Sequence, residues 1–92
     1  MNKLKRHEIS LDTIEEVQTK VKAQLLKCLR QKGFGAFTSS HEVLGVLEEE
    51  FCELKDAIRD NNIKNVKEEL FDIAVGAIFS LACIEEDTLK QL

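Results

Sequence analysis

Apolar positions recur along most of this chain at the three- and four-residue steps of a helix, in three separate stretches. In the first, Ile14, Val17, Val21, Leu25 and Cys28 share a face. Asp12 with Glu15 three residues on has the form of a capping box, and Gly33 and Gly35 close the stretch, which predicts a helix over 12–32. In the second, Leu47 centres the stripe: at about 100° per residue, Val43, Leu44, Phe51, Leu54 and Ile58 lie within about 60° of it. Ser39 and Glu42 form another capping box and Asn61-Asn62 a stop, predicting a helix over 40–60. The third stretch carries Leu70, Ile73, Ala74, Ala77, Ile78 and Leu81 on one side and Phe71, Val75, Phe79 and Ala82 on the other. Asn65 with Glu68 serves as its cap, giving a helix over 65–86. A helix apolar almost all round must be covered on several sides. Two neighbours of similar length cover only part of it, so a second subunit is the expected lid. The expected fold is all-α: one domain over 1–92 with three main helices per chain, completed by oligomerisation.

The remaining segments add less. Residues 1–9 are expected to form a flexible arm, with Lys3, Lys5 and Arg6 solvated. The linker Gly33-Phe34-Gly35-Ala36-Phe37-Thr38 contains a GxG, but a phosphate-binding glycine loop follows a strand and this one follows a helix. It reads as a C-cap and turn whose two phenylalanines pack on the bundle. The tail from Glu85 to Leu92 is short and polar and has no assigned element. Proline, tyrosine and tryptophan are absent and glycines number four, which favours long helices with short connections. A net charge of −4 argues against a general nucleic-acid binder. Cys28, Cys52 and Cys83 are widely spaced and odd in number, as for reduced thiols of an intracellular protein. No apolar segment follows the basic N-terminus, and the run from Leu70 to Ile84 is too short for a bilayer and carries Asp72. The expected location is cytoplasmic, with no membrane partner.

The acids are informative by position. Glu50/Glu53 and Glu69/Asp72 are i, i+3 pairs, each sharing a helix face. Glu50 lies at the edge of its stripe, Glu53 next round and Glu49 further out, while Glu69, Asp72, Gly76 and Ser80 form a narrow file beside the third stripe. Two helices packed side by side bring four carboxylates to one seam. Desolvating such charges costs several kcal/mol per ion unless they are compensated, and no lysine or arginine lies within either pair. A hard divalent cation, Mg²⁺ or Mn²⁺, would compensate them through carboxylate oxygens. Neither pair contains the histidine that a di-iron bundle requires. The bland alternative is that these acids are solvated helix faces.

Glu49-Glu50-x-x-Glu53, fifteen intervening residues, then Glu69-x-x-Asp72 resembles the signature of the MazG-like all-α nucleoside triphosphate pyrophosphohydrolases. The matching context is Leu47 to Leu54 and Glu68 to Ile73, within a span from His41 to Ile84. The resemblance implies a homodimer or dimer-based tetramer that cleaves a nucleoside triphosphate, with Mg²⁺, to monophosphate and pyrophosphate. It implies Glu50, Glu53, Glu69 and Asp72 as metal ligands and Glu49 as a further ligand or the base on the attacking water. Lys20, Gln24 and Lys27 share one flank of the first helix and are candidates to face the phosphates, against the alternative of a solvated face. With no tryptophan or tyrosine, any stacking on a base falls to Phe34 or Phe37. Longer members of the family add a further helix with basic and polar residues for the phosphates. Little follows the third helix here, which favours the alternative expectation of a non-catalytic MazG-like dimerisation or regulatory module.

Overall fold

A computed structural model describes residues 5–91. Residues 1–4 of the expected arm and Leu92 of the tail lie outside the described residues; 5–10 carry no helix and are exposed. Three helices follow in order: α1 (Leu11–Lys32), α2 (Ser40–Arg59) and α3 (Ile63–Glu85). Among the described residues the only β pairing is an isolated parallel bridge between Ser39 and Gln91. The fold is all-α.

Local side chains decide where each helix begins and ends. α1 starts one residue earlier than the pattern predicts because Ser10, not Asp12, is its cap: the Ser10 hydroxyl accepts the Thr13 N–H at 3.2 Å. Asp12 sits in the first turn, where a negative charge suits the helix dipole. α1 stops at Gly33, whose φ of 90° suits glycine and whose N–H donates to the Leu29 carbonyl at 2.8 Å. The expected box at α2 is present in shifted form. Ser39 Oγ accepts the Glu42 N–H at 3.1 Å, while Glu42 Oε1 reaches back to the Thr38 N–H, also at 3.1 Å.

The connection from α2 to α3 uses two adjacent asparagines for opposite ends. Asn61 takes φ 54°, with its N–H on the Ile58 carbonyl and the Asn62 N–H on Ala57, the paired bonds of a Schellman ending. Asn62 then caps α3, its side chain accepting the Asn65 N–H at 3.2 Å. The cap predicted at Asn65 therefore lies three residues early in the chain, and α3 begins at Ile63. α3 ends in the same way, with Asp87 at φ 57° and the Thr88 N–H on the Cys83 carbonyl at 2.9 Å.

The short turn folds α3 back antiparallel along α2, so that Leu47 meets Gly76 and Glu50 meets Glu69 and Asp72. α1 packs against α3 rather than α2, through its second half. Val21 is buried and Leu25, Cys28 and Leu29 are half-buried, but Ile14 and Val17 of the predicted stripe are exposed.

The packed face of α2 is rotated from the one centred on Leu47. Leu54 and Ala57 are buried and Val43, Leu47 and Glu50 half-buried, whereas Leu44, Phe51 and Ile58 are each more than half exposed. At about 100° per residue this places the centre of contact about 40° from Leu47, between it and Glu50. On α3 the small and acidic file, not the large apolar stripe, makes the seam: Ser80 and Cys83 are buried and Glu69, Asp72 and Gly76 half-buried, while Leu70 and Leu81 are exposed. Small residues permit this approach. A Cβ on Gly76 would stand 3.1 Å from Leu47 Cδ2.

The outcome is a chain with little closed interior. Its radius of gyration is 16.1 Å, against about 12 Å for a compact domain of this length. It exposes 7860 Å², where a folded monomer of 92 residues would expose about 5,400 Å². All three cysteines are free thiols. No helix among the described residues is long and apolar enough to cross a membrane.

Candidate metal centre

Glu50 on α2 and Glu69 and Asp72 on α3 each place one carboxylate oxygen within 4.8 Å of the others. The convergence follows from the seam. Glu69 and Asp72 are one helical turn apart on the α3 face that touches α2, and Gly76, a turn further on, brings the backbones close. Ser80, the last member of that file, is occupied elsewhere: its hydroxyl donates to the Gly76 carbonyl at 2.7 Å. Glu53 lies at the exposed rim beside Glu69, and Glu49 is exposed further out. Three of the four expected ligands thus form a tight group, with the fourth adjoining it.

The electrostatics of the group are strained. Glu50 Oε2 and Glu69 Oε2 are buried without a hydrogen-bond partner. Burial, more than any other cause, pushes the Glu50 carboxyl above the ordinary carboxylate range, with the charges of Asp72, Glu53 and Glu49 adding to it and contact with Glu69 opposing it. Glu69 is also raised, first by burial, with Glu50 and Asp72 reinforcing and Glu53 opposing. For Glu53 the leading cause is its hydrogen-bonding contact with Glu69, followed by that neighbour's charge; it too is raised. A hydrogen bond between two carboxyls exists only if one holds a proton, so the fully ionised group leaves the buried oxygens orphaned.

Among the described residues the ion pairs are Lys20–Glu16, Arg59–Asp56 and Lys90–Asp87, all exposed and none involving these acids. The donor set is therefore all oxygen, negatively charged, partly desolvated and without an ion-pair partner among the described residues. A hard divalent ion fits that chemistry: it accepts carboxylate oxygens and offsets their repulsion. Glu50, Glu69 and Asp72 could hold it, with Glu53 within reach as a fourth.

The group opens on a cleft of about 300 Å³ between α1, the α1–α2 linker and the α2–α3 hairpin. Glu50 and Asp72 line one side of it; Lys32, Gly33, Gly35 and Phe37 line another. Phe37 is held edge-on against Phe79, ring centroids 5.2 Å apart and planes at 88°. Of the two phenylalanines expected to pack, Phe37 does so, whereas Phe34 is 70 % exposed and borders a second, more apolar cleft.

Lys20, Gln24 and Lys27 do not line the acidic cleft. Lys20 pairs with Glu16 at 3.2 Å, Gln24 turns toward Cys28 Sγ at 3.9 Å, and Lys27 is exposed. The cation that α1 brings to the cleft is Lys32. Sequence inspection passes over it because a lysine in a last turn already has a sufficient explanation in the helix dipole. His41, in the first turn of α2, is exposed and takes no part. Comparison with protein-family models, with curated proteins and with solved structures found no match for this chain.

Proposed function

We propose that this chain is a MazG-like, Mg²⁺-dependent pyrophosphohydrolase that converts a nucleoside triphosphate to the monophosphate and pyrophosphate. One observation carries the proposal: Glu50, Glu69 and Asp72 converge, with two orphaned carboxylate oxygens, beside a cleft that also has a lysine and an aromatic ring. Glu50, Glu69 and Asp72 would hold Mg²⁺, or Mn²⁺ in its place, with Glu53 completing the set. When bound, such an ion supplies neutralisation of phosphate charge and a lowered pKa for water. The chain's own residues do the rest. The carboxylates orient water for in-line attack at phosphorus, and Glu49, exposed beside the group, takes its proton as pyrophosphate leaves. Lys32 offers charge to the phosphates, and Phe37 offers an apolar edge to the base.

The assembly proposed with it is a homodimer or dimer-based tetramer in the cytoplasm, acting on free nucleotides rather than nucleic acid. Its support is the unspent apolar surface: Leu44, Phe51 and Ile58 along α2 and Leu70, Leu81 and Ile84 along α3. A panel of nucleoside triphosphates assayed with Mg²⁺ should yield pyrophosphate from at least one, and Glu50→Gln should abolish it. Absence of turnover across the panel overturns the enzymatic reading. A non-catalytic helical module is the second reading, favoured by the cleft's single lysine against a highly charged triphosphate. It expects Mn²⁺ to raise the melting temperature saturably, as any ligand of the native state does, with no pyrophosphate released.

A further inference from the structure

We propose that the segment 88–91 is a strap that holds the α1–α2 linker in place and so sets the width of the acidic cleft, with Thr88 as the positioning residue. The turn at Asp87 redirects the chain from the end of α3 toward the linker. Thr88 Oγ1 there donates to the Phe37 carbonyl at 2.7 Å, joining residues 51 apart in sequence, and lies 3.3 Å from the Cys83 carbonyl. Three residues on, the Gln91 N–H donates to the Thr38 carbonyl at 2.8 Å, and Gln91 bridges Ser39 in parallel. Among the described residues no other hydrogen bond reaches the carbonyls of 34–38. Gly33 and Gly35 give this linker a wide backbone range. With the Phe37–Phe79 ring contact, the strap ties it to the end of α3.

The consequence is geometric. Lys32, Gly33, Gly35 and Phe37 stand on the linker side of the cleft, and Glu50 and Asp72 on the hairpin side. Releasing Thr88 loosens the linker part of the first side, Gly35 and Phe37, without touching the second. A ligand that must span both sides then loses affinity, while an ion held by the acids alone does not. Cys83 is 3 % exposed and lines the second cleft together with Thr88, which bonds the Cys83 carbonyl through its N–H and Oγ1. Releasing the strap is therefore expected to expose that thiol, a readout independent of any ligand.

The spanning ligand rests on the nucleotide reading above, so the test keeps the two apart. In a Cys28→Ser, Cys52→Ser background, Thr88→Val removes the hydroxyl and keeps the shape, and Thr88→Ser restores the hydroxyl. Iodoacetamide should label Cys83 about five- to tenfold faster in Thr88→Val, the change expected for losing one ordinary hydrogen bond. Thr88→Ser should return the rate toward that of Thr88. In parallel, the four α,β-methylene nucleoside triphosphates should bind Thr88→Val several-fold more weakly in the presence of Mn²⁺, with the affinity for Mn²⁺ alone unchanged. A Thr88→Val labelling rate equal to that of the parent overturns the strap, whatever the nucleotides do. Faster labelling with unchanged analogue affinity overturns its role in the cleft. If the parent binds none of the four analogues, the nucleotide reading fails and that role fails with it, while faster labelling still supports the tie to the linker. Truncation after Asp87, with helix content checked by circular dichroism, should speed labelling at least as much, and an unchanged rate there likewise overturns the strap.

Discussion

Glu50 stands within the α2 face that packs on α3, a position normally given to an aliphatic side chain. Its burial and that of Glu69, with oxygens left unpartnered, make these two the carboxylates whose replacement should matter most. Alanine at Glu50, Glu53, Glu69 or Asp72 is expected to abolish pyrophosphate release with helix content intact by circular dichroism. Glu49→Ala should lower turnover with less loss of metal affinity, and Glu48→Ala, about 100° further round the helix, should be nearly silent. Equal damage from Glu48→Ala and Glu50→Ala would show that the site is assigned to the wrong register. The same carboxyls give the metal-free protein a pH dependence of definite sign. Glu50 and Glu69 hold protons more tightly in the fold than the ordinary value of 4.5. Their favourable contribution is complete below that value and is lost as pH rises through the raised folded values. Urea unfolding in EDTA should therefore show stability falling from about pH 4.5 toward neutrality. Glu50→Gln should flatten that fall, and saturating Mg²⁺ should offset much of it. An unchanged curve in Glu50→Gln would refute the assignment.

At the scale of elements, the α2–α3 hairpin aligns the acids, and it depends on Asn61 and Gly76. Asn61 occupies a left-handed conformation that most residues enter only with strain. Asn61→Ala should cost about 1 kcal/mol in urea unfolding, and Asn61→Gly a few tenths or nothing. At Gly76, alanine gains helix propensity but presses on the Leu47 methyl at 3.1 Å, which yields by a few tenths of an ångström. Its net effect on stability should be small. A branched side chain leaves no such outlet. Gly76→Ile should destabilise by about 1–3 kcal/mol and should weaken Mn²⁺ binding as well, because the seam that it widens is the one holding Glu50 against Glu69 and Asp72. Weakened folding with undiminished ion affinity would mean that the helix spacing does not govern the site.

The whole molecule leaves many of its large apolar side chains exposed. The excess of exposed surface over a compact monomer is about 2,400 Å², within the range of a permanent subunit interface. Lys55, 5.8 Å above the Phe51 ring, shields only one such side chain. Sedimentation at micromolar concentration should show a dimer or larger species. Leu70→Glu or Phe51→Glu should shift it toward monomer and lower its melting temperature. A stable monomer with full helix content would refute the assembly.

The sequence by itself determined the three helices to within two residues at each end, because 3.6-residue periodicity, Ser39, Gly33 and the Asn61-Asn62 pair act locally and need no distant partner. It also singled out the acids, since Asp72 inside an apolar helix is conspicuous in any conformation. Rotation about each helix axis was not legible in the same way. Periodicity shows which residues share a face but not which of two adjoining faces meets a neighbour. The stripe centred on Leu47 and the one carrying Leu70 and Leu81 gave way to faces where Gly76 allows backbones to approach. The joining of Thr88 to Phe37, and of Lys32 and Phe37 to the cleft that Glu50 and Asp72 line, was likewise decided only in three dimensions. These contacts link positions far apart in the chain, and no local spacing rule connects such positions.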